Sequence, residues 1–332
     1  MPVFLFPGQG AQFSGMGMDL HEADKDGSVG VRGLFELASS ILGKDIKDLL
    51  TAEADVLKRT DISQVAITVA SLAAWKTLAA KGIRPTACAG FSLGEYPALA
   101  VAGVLSEADV IRVTAERGRV MQKACADIAR ISNSAEDSGA SSPGMSAVLG
   151  LSPERIDEVI RDSRIPDLYA ANYNSPLQTV ISGTAEALDA AAPLFKEAGA
   201  RRCIRLGVAG PFHSPLMKIA ARDFSEFLTG IDFQEPKIPL FSNVTGGRVR
   251  DRAEIKALAV SHLVNPVKWT TEEASVADWM TESGMFDTPT KFDGDTGHDN
   301  LLVEVGPGRV LSGLWADSGL RGTCKPYTEF LQ

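Results

Sequence analysis

Apolar and polar positions along this chain fall into two rhythms. An unbroken apolar run, Val3–Phe6, opens it and turns at once through Pro7-Gly8-Gln9-Gly10. Such a run reads as a strand covered on both faces. Helical spacing follows over 34–42 and over 63–81, where Val65, Thr68, Val69, Leu72, Trp75 and Leu78 share a face and Gly82 stops the helix. A short strand over 86–89 leads into a helix over 93–102 ended by Gly103, and Ser106 is placed to cap a helix over 107–126. Residues 127–143 are small, polar and rich in Ser and Gly, and read as a loop.

The order then becomes β-α-β-β-α-β. A strand over 145–151 precedes a helix over 153–164 capped by Ser152. Strands over 168–172 and 179–182 are joined through Asn174-Ser175-Pro176. A helix over 185–198 ends at Gly199, and a strand runs over 201–208. That order is the signature of a ferredoxin-like split β-α-β unit. Alternation of helix and strand resumes over 214–228, 239–243, 254–263 and 301–305, interrupted by a second polar loop at 284–300. Residues 301–314 read as a buried strand, a Gly-Pro-Gly turn and a helix with a structural role. The pattern predicts an α/β domain carrying a small inserted α+β subdomain.

Composition narrows the class of partner. The 332 residues are 45% apolar and 23% charged, the make-up of an ordinary globular chain with a large core. A net charge of −9 argues against nucleic acid. Cys88, Cys125, Cys203 and Cys324 form no C-x-x-C pair, so free thiols are expected, and neither zinc nor dithiol chemistry. No apolar run is read as reaching the roughly 20 residues of a membrane span. The start MPVFLFPGQG has no basic leader region. A soluble, cytoplasmic chain with no membrane partner is expected.

Residues 88–98, CAGFSLGEYPA, place Ser92 between Gly90 and Gly94 in the pattern G-x-S-x-G. A strand turning sharply into a helix can hold a serine with its oxygen exposed. Flanking glycines are needed because a Cβ would clash in so tight a turn. A plain strand-to-helix turn fits the same five residues. Serine needs a base, and the chain has four histidines. His21 lies in a polar stretch, His262 on an expected helix and His298 in an acidic loop. His213, in GVAGPFHSPLM, stands between a strand and a helix, where α/β folds keep active-site residues. No acid to orient it is identifiable. FPGQGAQ (6–12) is neither a phosphate loop nor a dinucleotide fingerprint, since the third glycine position holds Phe13. Its backbone N–H groups fit an oxyanion site as well as an ordinary turn.

FPGQGAQ, GFSLGEY, ERGRVMQ, GPFHSPLM, NPVKW and VEVGPG, in this order across residues 3–314, resemble the malonyl-CoA:acyl carrier protein transacylases of fatty-acid and polyketide synthesis. The resemblance implies an α/β hydrolase-like parallel-sheet core over 1–142 and 209–332, with a ferredoxin-like subdomain over 143–208. It implies Ser92 as nucleophile and His213 as general base, oriented by a main-chain carbonyl. Gln9 and Leu93 would supply the oxyanion hole, and Arg117 would grip the malonyl carboxylate. Phe212, next to the base, goes with malonyl over methylmalonyl. Phe91 departs from the family, which often has His there. The implied partners are malonyl-CoA and an acyl carrier protein, with no metal or other cofactor, in a monomer. Carrier proteins of this kind are acidic, so docking would need a local basic surface. Candidates are Arg201, Arg202 and Arg205, or Arg248, Arg250, Arg252 and Lys256, although a solvated face explains either run. The elbow alone would also suit a serine thioesterase, and the altered Phe91 and long loops a non-catalytic scaffold. A discrete polyketide acyltransferase is the nearer alternative.

Overall fold

In the computed structural model, which describes residues 2–133, 142–287 and 301–331, Val3–Phe6 forms the strand its apolar run predicts. Phe4 and Phe6 enter one core while Val3 and Leu5 enter another on the opposite face. A strand covered on both sides gains nothing from polar alternation. The described strands are β1 (Val3–Phe6), β2 (Ala87–Gly90), β3 (Gly144–Leu149), β4 (Leu168–Ser175), β5 (Gln178–Gly183), β6 (Arg202–Arg205), β7 (Leu240–Ser242), β8 (Gly247–Val249), β9 (Leu301–Glu304) and β10 (Thr323–Pro326). Six make a sheet in the order β10-β9-β1-β2-β7-β8, parallel except where β8 folds back on β7.

The larger core lies between this sheet and the helices Val31–Leu42, Thr60–Ala80 and Glu107–Asn133. Thr60–Ala80 is buried on nearly every side, not along one stripe, and takes Ser63, Gln64, Thr68 and Ser71 inside with it. By length and composition this helix could cross a membrane. That corrects the expectation that no run is long enough; here most of it is enclosed by protein. The second core, on the other face of the sheet, contains Trp269 and Trp315.

Strands β4-β5-β3-β6 form a separate antiparallel sheet in the order of a split β-α-β unit. Helices Pro153–Ser163 and Ala185–Glu197 close a third core over it, built on Val148, Ile181 and Phe195. The small sheet is tied to the segment before the helix Trp269–Glu282, where Val267 N donates to Ala171 O at 2.8 Å and Tyr173 N donates to Val267 O at 2.9 Å. The mixed α/β class is as expected: a parallel-sheet core with a small antiparallel sheet.

Some boundaries differ. Ser106 caps its helix as expected, its Oγ accepting from Asp109 N at 3.0 Å. That helix runs on to Asn133, through the first part of the expected loop. The rest of that loop at 134–141, and 288–300 of the second loop with His298, lie outside the described residues. Strands β8 and β10 and the helix Trp269–Glu282 were not anticipated.

Candidate active site

β2 ends at Gly90, and Ser92 opens a single 3-10 turn that leads into the helix Glu95–Val101. Ser92 has φ +51°, a left-handed conformation that costs a non-glycine residue about 1–3 kcal/mol. Such strain persists only where the surroundings impose it. A Cβ at Gly90 would strike the Gly94 carbonyl, and one at Gly94 the Phe6 carbonyl. Gly8 is pressed as closely on the Phe91 carbonyl. The turn after β1 and the elbow after β2 are therefore locked together, which brings Gln9 and Leu93 to the same cleft. Leu93 lies in a first helical turn, where its N–H has no intrahelical acceptor. The Gln9 amide is tethered to the Thr60 hydroxyl at 3.2 Å.

His213 lies in the loop between β6 and the turn Pro215–Met217, and it too is left-handed, with φ +55°. Its Nε2 is 2.8 Å from Ser92 Oγ. Its Nδ1 is 2.9 Å from the His262 carbonyl oxygen. A carbonyl can only accept, so Nδ1 carries the proton and Nε2 offers its lone pair to the serine hydroxyl. No carboxylate is needed to set this tautomer. Burial, then the charge of Arg117, lowers His213 to about 4, so the ring is neutral at physiological pH.

Arg117 projects from the helix Glu107–Asn133 into the same cleft of about 360 Å³, which Phe212 and Met121 also line. Its side chain is 1% exposed. Nη1 donates to Gln64 Oε1 at 2.8 Å, and the guanidinium lies 5.2 Å from the Tyr96 ring. Nε and Nη2 have no partner among the described residues. Phe212 is buried against the base, and Phe91 meets the Trp269 ring edge-on at 5.3 Å. All six residues singled out from the sequence thus line one cleft. His21 does not: it lies on the short helix Met18–Ala23, its ring 4.8 Å from Phe35.

A buried support was missed. Asn243, just past β7, accepts from Ser92 N through Oδ1 at 2.6 Å and donates through Nδ2 to Gly90 O. Its own N–H donates to Glu95 Oε2 at 3.0 Å. Burial raises Glu95 to about 7, against the pull of that N–H and of Arg117. His262 stacks its ring 4.9 Å from His213, and burial holds it well below the usual histidine range. Glu272, equally buried, is pushed well above the carboxylate range. Asn243 engages the Ser92 N–H, so that donor is unavailable to a substrate and the Leu93 N–H is the next in line.

Of the basic runs, Arg252 pairs with Glu235 at 3.7 Å, and Lys256 donates to the Ile231 carbonyl at 2.9 Å. Arg201 and Arg202 border a second groove of about 540 Å³, which shares Gln178 with the cleft. Among the described residues no cluster of three or more His, Cys, Asp or Glu side chains is arranged to hold a metal ion. All four cysteines are free.

A family model described as an acyl transferase domain matches residues 3–285, which sets the class. The malonyl CoA-acyl carrier protein transacylase of Bacillus subtilis is 36% identical over 317 residues, 94% of this chain and 88% of that protein. The solved transacylase of the same name from Coxiella burnetii superposes with a TM-score of 0.82 at 30% identity, over 98% of this chain and 93% of that one. A malonyl-transacylase solved in complex with a type II polyketide synthase acyl-carrier protein gives a TM-score of 0.79 at 33% identity, over 98% and 94%. The chain belongs to the malonyl-CoA:acyl carrier protein transacylase family of acyl transferases.

Proposed function

We infer that this protein moves a malonyl group from malonyl-CoA to the phosphopantetheine thiol of an acyl carrier protein, in two steps at Ser92. Ser92 Oγ attacks the thioester carbonyl as its proton passes to His213 Nε2. The oxyanion is held by the backbone N–H groups of Gln9 and Leu93, each such donor being worth roughly 10²–10³-fold in rate. The C–S bond then breaks and the CoA sulfur leaves with the proton from His213. The carrier's thiol gives its proton to the same nitrogen, attacks the acyl-serine, and Ser92 Oγ takes the proton back. Every proton has a holder and no electrons are gained or lost, so the scheme calls for no cofactor.

The observation that carries the reading is the buried guanidinium of Arg117, with two unpartnered nitrogens in the cleft of the Ser–His pair. A planar fork of this kind fits a carboxylate through two parallel hydrogen bonds, and malonyl is a thioester that carries one. The carrier would approach over Arg201 and Arg202, whose groove adjoins the cleft at Gln178.

Intact-mass measurement after mixing with malonyl-CoA tests this. A malonyl adduct that is absent in Ser92→Ala, persists in buffer and discharges onto holo-carrier protein is expected. Rapid loss of the adduct to water would instead make the protein a thioesterase, and failure to acylate would leave a scaffold. Loading of fatty-acid and polyketide carriers side by side separates the remaining alternatives, with a fatty-acid carrier expected to be preferred.

A further inference from the structure

Arg117 is a buried charge held against a neutral amide, with no ion-pair partner among the described residues. The titratable groups packed around the dyad are driven toward neutrality by the same burial. His262, stacked on His213, is held below its range, and Glu272 above its own. Glu95, 4.0 Å from His262, is raised to about 7 and only partly ionised at neutral pH. Lys58 at the rim of the cleft is solvent-exposed and paired with Asp55 at 2.8 Å. Arg117 lines the same cleft as His213, and its charge adds to burial in lowering that ring. Both side chains are buried, and there a neighbouring like charge disfavours an imidazolium.

We propose that Arg117 gates the base: with the cleft empty its charge weakens His213 as a proton acceptor, and a substrate carboxylate seated on it cancels the charge and restores that basicity. The proposal rests on the transacylase reading above and extends it. Selection for a carboxylated acyl group then acts in the proton-transfer step as well as in binding. An acetyl thioester enters the same elbow and meets the weakened base. His213 Nε2 takes the Ser92 Oγ proton as the Oγ–C bond forms and returns it to the CoA sulfur as the C–S bond breaks. The malonyl carboxylate stays ionised throughout.

The sign follows from the charges. A protonated His213 cannot accept, so acylation falls as pH drops through its pKa in the bound complex. The acetyl complex keeps the low value of the empty cleft, and the malonyl complex has the higher one. Single-turnover acylation of Ser92 by saturating malonyl-CoA and acetyl-CoA, followed by quenched mass measurement from pH ~4 to ~8, reads both. The acid limb for malonyl is expected to lie about one pH unit or more above that for acetyl. In Arg117→Gln the acetyl limb should rise to the position of the wild-type malonyl limb, since both then leave His213 facing no net charge. The wild-type comparison stands even if that variant fails to fold. Coincident wild-type limbs overturn the gating and leave the transacylase reading intact. Absence of any malonyl adduct at Ser92 overturns both.

Discussion

Asn243→Ala isolates what holds the elbow in its strained form. Asn243 is fully buried and occupies three backbone and side-chain groups at once: Ser92 N–H, Gly90 carbonyl and Glu95 carboxyl. Truncation to Ala keeps its own N–H on Glu95 but strands the Ser92 donor and the Gly90 acceptor away from water. Each stranded group costs about 1–3 kcal/mol, so the loss is about 2–6 kcal/mol. For a chain of this size a kcal/mol moves Tm by roughly 2 °C, which puts the drop near 4–12 °C. Without the clamp, Ser92 can also release the strain of φ +51° by rotating away from His213. A displacement of about an ångström at a reacting atom can cost roughly 10²-fold. Thermal unfolding gives the first quantity. Single-turnover acylation, measured well below the variant's Tm so that only folded enzyme reports, gives the second. A variant with unchanged Tm and unchanged acylation would refute the clamp. A lowered Tm with full acylation would leave Asn243 a packing residue with no hold on the nucleophile.

Two further substitutions probe the acyl end of the cleft. Gln64→Leu removes the oxygen that fixes Arg117 Nη1 at 2.8 Å; KM for malonyl-CoA should rise about tenfold with a smaller change in kcat, and steady-state kinetics with malonyl-CoA checks this. Phe212→Ser opens space beside His213, where the ring is now 5% exposed. One methyl in an apolar pocket is worth roughly 10–200-fold, so loading from an equal mixture of malonyl- and methylmalonyl-CoA, read by mass, should move toward the branched acyl group.

What the sequence could and could not disclose follows from where each signal resides. The elbow was legible because sterics demand glycine on both sides of Ser92, and the clashes at Gly90 and Gly94 bear that out. The helix Trp269–Glu282 was not, although its buried residues 269, 272, 273, 276, 277 and 280 keep helical spacing. Glu272 and Glu273 occupy two positions of that stripe, and a carboxylate there reads as solvent-facing until burial is seen to neutralise it. The His262 carbonyl was invisible because a main-chain acceptor leaves no mark in residue identity. Asn243 was invisible because it meets Ser92 across 151 residues of chain.

Arg117 is the instructive case: only the resemblance singled it out, although its own helix carries a signal. Its neighbours on the helix, Arg112 and Arg119, each have an acid three residues earlier, and each forms the ion pair: Arg112 with Asp109 at 3.0 Å and Arg119 with Glu116 at 2.6 Å. Arg117 has Val113 and Thr114 on one side and Val120 and Met121 on the other, all buried. It therefore sits in the helix's inward stripe, where an ionised side chain is seldom found without a partner. Gln64 meets one nitrogen and supplies no charge. Among the described residues no carboxylate lies within ion-pair distance of the others. A buried cation that the fold leaves uncompensated is a standing cost to the empty protein, which an anionic acyl group would relieve on the proposed reading. On that reading, the same missing counter-charge would favour a carboxylated substrate, and it adds to the burial that lowers His213.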